Sequence, residues 1–583
     1  MSIIPFESAE SYGEAHALLI SGERTSDPAE LESLRQEASA HPELCWRLAE
    51  GYFLWRLHRL DDLFDFLQQL PPALHQDPQY WLLLGLAYRH QGAAGEQSSA
   101  DAYARGLELA PDRSDLHYNL ANLVQDSDSC RAERHYKKSL ELDALQAHAW
   151  HNFSSLLRSQ ERFSEAWVAL KASLQLDPGN PSGWCNLGLV LMSCGQWNAA
   201  ERSFLQSLAL DPTLIRSRVN LGALLVTSRR PEEALSHLEH GVALDPHSAH
   251  PLFNLGLCHL LMGRFETGWE YYEARFRTHL VPPECIPTLG PALQSLSEAP
   301  REGADPLVVW AEQGLGDAIQ FSRYLAMLEA AGVVFEFHCQ KELLRLMEQW
   351  FQPRVPIKLL QPGSDDAEQR IHCPLLSLPR LFKTNEAKIP SELHYLKAPS
   401  SAPAHLQVPY SPGGLAVGLV WASNADNTAM YRNKSFPLQL LMPFLLDLVE
   451  LDLIDIHALQ FGPDNHQLDP WRDHPRVIDW APELSDLADT AYVVRQLDLV
   501  ISVDTAVAHL AAALKCPTWL LLCWDSDFRW LRDRNDSPWY PGVMRLFRQP
   551  ERDDWSGLFT ILREALDQLF LLDLEALAAA KLH

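Results

Sequence analysis

A helical repeat array followed by a pair of α/β units is the fold class this 583-residue sequence predicts. Three observations carry it. Before about residue 275 the triplet Leu-Asp-Pro recurs with its aspartates at Asp177, Asp211 and Asp245, and a Leu-Asp-Ala variant places Asp143 one period earlier, so the period is 34 residues. After about residue 300 short apolar runs alternate with helical segments, the texture of strand–helix–strand units. Near the end, ISVDTAVAHL (Ile501 to Leu510) closes an apolar run on Asp504 and Thr505 and continues into small residues that include His509.

Composition bounds the partners. Apolar residues make up 47%, ample for packed cores in more than one domain. With 76 acidic against 48 basic residues the net charge is −28, and no basic run gathers the positive charge. That argues against nucleic acid or an anionic membrane as partner. No apolar stretch reaches the roughly 18 residues of a transmembrane helix, and the start, MSIIPFESAE, lacks a signal-peptide layout, so a soluble cytoplasmic protein is expected. Ten cysteines with no Cys-x-x-Cys pair point to buried reduced thiols rather than to a zinc site or a disulfide framework.

In the repeat region WCNLG (Trp184 to Gly188), VNLG (Val219 to Gly222) and FNLG (Phe253 to Gly256) mark first helices, while NAAERSFLQSLAL and PEEALSHLEHGVAL mark second helices. A 34-residue helix–turn–helix period resembles the tetratricopeptide repeat, which implies a right-handed solenoid over residues 79–280. HPELCWRLAEGYFLW and DPQYWLLLGLAY carry the same Pro and aromatic placements, so degenerate repeats are expected over residues 1–78. Asn119, Asn152, Asn186, Asn220 and Asn254 recur every 33 or 34 residues and would line up along the solenoid. An amide that donates and accepts suits the backbone of an extended polypeptide. The alternative is that each Asn bonds its own helix neighbours. The row resembles the asparagine ladder of tetratricopeptide-containing protein O-glycosyltransferases.

Beyond residue 300, PLVVW, GVVFEFHC and VPIKLL read as strands of one α/β unit (residues 300–396), and LAVGLVW, LIDIHALQF, RVIDW, LDLVISV and TWLLLC as strands of a second (residues 415–583). Between them KAPSSAPAHLQVPYSPGG, residues 397–414, reads as a linker joining two Rossmann-like halves with a cleft between. In the first half WAEQGLGDAIQFSRYL places Gly314 and Gly316 in a tight turn after a strand and Asp317 at the start of the next helix. In the second, Asp504 and Thr505 fall at a strand's carboxyl end and a helix's N-terminus, where unpaired N–H groups and the helix dipole favour an anion. The plainer alternatives are that Asp504 or Thr505 is an N-cap, worth about 1 kcal/mol, and that His509 is a core histidine.

GLGD and ISVDTAVAHLAAAL together resemble the heptosyltransferase family of glycosyltransferases, whose late motif is Asp-Thr-Gly-x-x-His. VGLVWASNADNTAMYRNKSFPL (Val417 to Leu438) fits the start of that family's second half and DFRWLRDRNDSPWYPGVMRLFRQ (Asp527 to Gln549) its Trp-rich tail; the layout is similar to bacterial proteins that fuse such a domain to tetratricopeptide repeats. The resemblance implies a GT-B arrangement of two Rossmann-like domains, a nucleotide-sugar donor on the C-terminal half, and inversion at the anomeric carbon without an obligatory metal or other cofactor. Carried over by position, Asp504, Thr505 and His509 contact the donor, Lys434 neutralises its diphosphate, Gln460 and Asn424 join the donor site, and Asp317 is the acceptor-side base. Ala506 stands where the family has glycine, so the backbone approaches the donor less closely.

The expected activity is therefore transfer of a sugar to Ser or Thr of a polypeptide held by the solenoid. A glycan or lipid-linked saccharide as acceptor, and a non-catalytic repeat scaffold, are the competing expectations.

Overall fold

The computed structural model describes residues 15, 18, 25–41, 44–278, 290–312, 314–351, 353–360, 370–391, 395–396, 403–409, 414–425 and 428–580. The chain divides into two compact units, residues Met1–Ser217 and Arg218–His583.

The first unit is a tetratricopeptide-type stack of helix pairs: Pro78–His90 with Glu96–Leu109, Ser114–Val124 with Ser129–Leu142, Ala147–Ser159 with Phe163–Leu176, and Pro181–Ser193 with Trp197–Leu210. Helices Pro28–Ser39, Leu44–Arg56 and Leu60–Gln68 precede them. Two polar contacts recur with the period. Ser139, Ser173 and Ser207, all buried, each donate from Oγ to the carbonyl of the residue opening their own pair's first helix, Ser114, Ala147 and Pro181, at 2.7–2.8 Å. Trp81, Trp150 and Trp184 each donate from Nε1 to the carbonyl six residues earlier, at His75, Ala144 and Pro178. The serine sets the height of the second helix against the first, and the indole closes the turn between repeats. Close packing does the rest: a Cβ on Gly188 would lie 2.5 Å from the buried ring of Phe204.

The second unit begins inside the repeats. Its helices Pro231–Leu244, Ala249–Leu261 and Phe265–Tyr272 end in Phe265 and Trp269, both 1% exposed, whose rings meet Phe321, Phe528 and Trp539 edge-on. The last repeats thus share one apolar core with the α/β region, and the compact units part at Ser217 rather than near residue 280.

The first sheet holds β1 (Leu307–Trp310), β2 (Phe335–Cys339), β3 (Ile357–Leu359) and β4 (His372–Pro374) in the order β3-β2-β1-β4. The second holds β5 (Leu415–Val420), β6 (Ile454–Ala458), β7 (Val477–Asp479), β8 (Leu499–Val503), β9 (Thr518–Leu522) and β10 (Met544–Arg548) in the order β10-β9-β8-β5-β6-β7. Every pairing is parallel. The eight apolar runs form the strands expected of them; β4 and β10 escaped because HCP and MRLFR carry no apolar run. Both orders reverse once, at β1/β4 and at β5/β8, and in open parallel sheets such switch points leave a crevice at the strands' carboxyl ends.

The two sheets are tied, not merely tethered. Arg323 donates to the Trp539 carbonyl at 2.7 Å, and Arg345 bridges to Asp486 at 2.5 Å and to Asp489. Of the expected linker, residues 397–402 and 410–413 lie outside the described residues. Its described part is pinned to the second sheet, because Gln496 accepts from the Val408 N–H and donates to the Leu406 carbonyl. Cys130 and Cys194 are exposed thiols, whereas the other described cysteines are buried and form no disulfide.

Gly188→Ala should lower stability by about 1–3 kcal/mol because Phe204 has nowhere to go. Gly179→Ala, whose new Cβ meets nothing nearer than 3.5 Å, should leave thermal unfolding close to wild type. Equal melting temperatures for the two variants would remove the packing role given to Gly188.

Candidate functional site

The site grows from the two switch points. After β1 the chain turns through Gly314, whose φ of +72° is the left-handed region that favours glycine, into the helix Leu315–Phe321. A Cβ at Gly314 would also press to 2.8 Å on Asp317 Oδ2. After β8 the chain passes Asp504 into the helix Ala506–Ala513, whose alanines 508 and 511–513 are fully buried. The two helices touch closely enough that a Cβ on Gly316 would sit 3.0 Å from His509 Cδ2 and 3.5 Å from Ala506 Cα. Glycine at 316 and small residues after 505 are therefore one requirement seen from two sides.

Thr505 holds the N-cap position but does not cap. Ser502 Oγ donates to the Val503 carbonyl at 2.7 Å, so at 3.1 Å it accepts the Thr505 hydroxyl, which turns away from the helix. The first-turn N–H groups are left without a side-chain cap, the arrangement that binds anions at helix N-termini.

Asp504, Lys434 and His509 come together as expected. Lys434 Nζ lies 2.6 Å from Asp504 Oδ2, with both side chains nearly buried. Burial alone would raise the Asp504 pKa, but Lys434 outweighs it and holds the carboxyl down at about 2. His509 Nε2 faces Asp504 Oδ1 at 3.8 Å, Nδ1 meets the Tyr540 hydroxyl at 3.0 Å, and the ring stacks on Trp530. Burial is the main cause pushing the His509 pKa down to about 3, so the imidazole is neutral at physiological pH.

Asp317 stands at the other switch point. Its Oδ1 accepts from Arg529 Nη2 at 2.6 Å, and Arg529 also binds Asp527 at 2.7 Å. The carboxylate is one-third exposed. Burial raises its pKa, Asp527 and Asp504 add to the rise, Arg529 and Lys434 oppose it, and the value settles at about 6. Arg529 was not singled out by the sequence reading. It follows β9, next to the switch point, and a survey of charged residues just past each strand would have found it.

Several of the expected ligand groups already have partners within the protein. Gln460 is 4% exposed and its amide accepts from the Trp421 and Ala422 N–H groups while donating to the Ala422 and Phe461 carbonyls. It braces the ends of β5 and β6 instead of offering an open amide to a donor. Lys434 is already neutralised by Asp504, and Lys434 and Arg529 face Asp317, Asp504 and Asp527, so an arriving diphosphate depends on the helix N-terminus as much as on lysine. Four asparagines of the row donate within the scaffold. Asn119 and Asn254 donate to the carbonyls of Asp115 and His250 in their own helices. Asn152 donates to Tyr118 and Asn122, and Asn186 to Ser155, in the preceding repeat, the amide nitrogen of Asn186 also lying 3.2 Å from His151 Nε2. Asn220 lies in the second unit, in the helix Ile215–Thr227. Asn424 is exposed on the loop after β5, beside Ser423, whose N–H is held by Ser435 Oγ just past Lys434. Among the described residues no group of three or more His, Cys, Asp or Glu is placed to hold a metal ion, and no helix is long and apolar enough to cross a membrane.

Comparison with known families bears on this geometry. Residues 473–521, which include β8, Asp504, Thr505 and His509, match the model for glycosyltransferase family 9 (heptosyltransferase), and residues 181–214 match that for the tetratricopeptide repeat. The chain carries a tetratricopeptide repeat and a glycosyltransferase family 9 segment. It is also similar to Protein FlbA of Caulobacter vibrioides, 28% identical over 320 residues. The match covers 49% of each chain, so this protein spans about half the length of that relative. Among solved structures it is similar to PilF of Pseudomonas aeruginosa (23% identity, 35% of this chain and 91% of that one, TM-score 0.31). It is similar too to YrrB, described as a TPR protein with an unusual peptide-binding site (24%, 30% and 92%, TM-score 0.26).

Removing Lys434 should strand Asp504 as a buried unpaired charge. Lys434→Met is expected to cost about 3–5 kcal/mol, and Lys434→Met combined with Asp504→Leu to recover most of it. Denaturant unfolding in which the double variant is no more stable than the single would contradict the pairing.

Proposed function

We propose that this protein is a glycosyltransferase that moves a sugar from a nucleotide-sugar donor to a hydroxyl of a polypeptide. The observation that carries the proposal is the pairing of switch points: a carboxylate with a pKa of about 6, Asp317, beside an uncapped helix N-terminus flanked by Lys434 and Asp504. The donor's diphosphate lies at the first turn of the helix Ala506–Ala513, with Lys434 near the leaving oxygen. The acceptor hydroxyl approaches Asp317 through Oδ2, since Oδ1 is held by Arg529.

Chemistry then needs one displacement. The acceptor oxygen forms its bond to the anomeric carbon as the bond to the phosphate oxygen breaks. Asp317 takes the hydroxyl proton, and the departing nucleoside diphosphate keeps the electron pair. A single displacement inverts the anomeric configuration. Arg529 fixes the carboxylate's direction, and burial keeps it basic enough to accept a proton. No step draws on a metal ion, so transfer should survive a chelator.

The polypeptide acceptor is favoured by the tetratricopeptide stack, a fold whose extended surfaces bind other chains. The asparagine row does not enter this proposal, because the amide nitrogens of Asn119, Asn152, Asn186 and Asn254 already have partners inside the scaffold.

A panel of nucleotide sugars screened by thermal shift should yield one that raises the melting temperature of the full chain. With that donor, Asp317→Asn is expected to slow transfer by about 10²- to 10⁴-fold with donor affinity little changed. An equally active Asp317→Asn enzyme would end its role as base. Because the ionised form is the base, wild-type transfer should fall as pH drops through about 6 and plateau above it; a flat profile across that range would count against Asp317. Transfer to small saccharides but to no polypeptide would move the acceptor to a glycan.

A further inference from the structure

We propose that Tyr540 is a positioning residue that holds His509 as the neutral tautomer protonated on Nε2, so that His509 presents the donor with an N–H; the identity of that ligand rests on the glycosyl-transfer function above. The direction of the proton chain follows from its far end. Arg323 is 3% exposed and its guanidinium can only donate. Three of its bonds go to carbonyls, those of Gln320, Pro390 and Trp539, and its Nη2 donates to the Tyr395 hydroxyl at 3.2 Å. Tyr395 therefore accepts from Arg323, and its own proton points along its 3.2 Å contact to the Tyr540 hydroxyl. Tyr540 in turn donates to His509 Nδ1 at 3.0 Å.

Run this way, every proton in the chain has an acceptor. Reversed, with Nδ1–H donating to Tyr540 and Tyr540 to Tyr395, the Tyr395 oxygen would receive two donors and its proton would find no acceptor among the described residues. Leaving a buried hydroxyl proton unpaired is costly enough to fix the direction.

The other side of the imidazole agrees. Nε2 faces the ionised Asp504 carboxylate at 3.8 Å, an attraction for an N–H and a repulsion for a lone pair. The charged and titratable groups facing His509 are Asp504, Arg529, Arg323, Lys434 and Tyr540. Three of them are cations, and together with burial they oppose an imidazolium. At 3.8 Å the Nε2–H makes no full hydrogen bond to Asp504. It remains available to a phosphate or sugar oxygen at the first turn of the helix. A Cβ at Gly316 would lie 3.0 Å from the ring's Cδ2, so glycine there leaves the imidazole its place.

The direct test is nitrogen NMR of the full chain carrying ¹⁵N-histidine, with the His509 signals assigned by their loss in His509→Gln. We expect a bare Nδ1 and a protonated Nε2, unchanged from about pH 5 to pH 8. In Tyr540→Phe the signals should move toward a mixture of tautomers. A wild-type proton on Nδ1, or titration within that range, would overturn the proposal. The spectrum is recorded without donor, so it decides the tautomer even if no nucleotide sugar binds. Donor affinity supplies the second measurement. His509→Gln can place an amide N–H near the Nε2 position and His509→Asn near Nδ1, so Gln should bind the donor roughly tenfold more tightly than Asn. Equal losses would mean that the Nε2–H does not meet the ligand.

Discussion

The ion pair between Arg529 and Asp317 is the interaction on which the site depends, because it is where the two sheets' switch points become one environment. Arg529 leaves the loop after β9 and reaches at 2.6 Å the carboxylate that follows β1. A guanidinium so close would ordinarily make the carboxylate a poor base. Burial and the neighbouring Asp527 and Asp504 outweigh it, and the pKa settles at about 6. The pair therefore does two things at once: it aims Asp317 and leaves it able to take a proton near neutral pH. On the proposed function, those are the two properties a base needs before an acceptor hydroxyl arrives.

Around that pair the polar groups are ordered rather than merely gathered. Lys434 and Asp504 cancel each other's charge, Tyr540 and Arg323 fix the imidazole, and Gln460 braces the strand ends that carry the loops. Such fixed dipoles and paired charges favour charge development at a chosen point without reorganising when it appears. Rigidity also comes from the repeats of the second unit, where Phe265 and Trp269 enter the same core as the sheets. The first unit relies on periodic contacts instead. Its buried serines and turn-closing indoles recur with the 34-residue period, and Asn152 and Asn186 bond into the preceding repeat.

Much of this was legible in the sequence. The period of the Leu-Asp-Pro triplets gave the helix pairs, eight apolar runs gave eight of the ten described strands, and Gly314, Gly316, Asp317, Asp504 and His509 stand at the switch points as their spacing implied. What stayed hidden depends on contacts between distant segments. Arg529 and Tyr540 sit in a Trp-rich tail whose spacing resembles no strand–helix junction, and Arg323 lies on a helix where an arginine reads as surface charge. Gln460 and the asparagines were ambiguous for the opposite reason: an amide's residue type says that it will be bonded, not whether its partner is a ligand or its own backbone. The shared core of the last repeats and the sheets was equally invisible, since the repeat pattern runs through Ser217 without a break.

On the proposed function, a donor's diphosphate rests on the first turn of the helix Ala506–Ala513, between Lys434 and Asp317. A crystal structure of the full chain with a nucleoside diphosphate measures this most directly. Phosphate oxygens are expected within hydrogen-bond distance of the first-turn N–H groups, with His509 Nε2 and Lys434 Nζ turned toward them. A diphosphate bound instead in the pocket lined by Val226, Leu257, Trp524 and Leu531, with this helix N-terminus left to water, would contradict it.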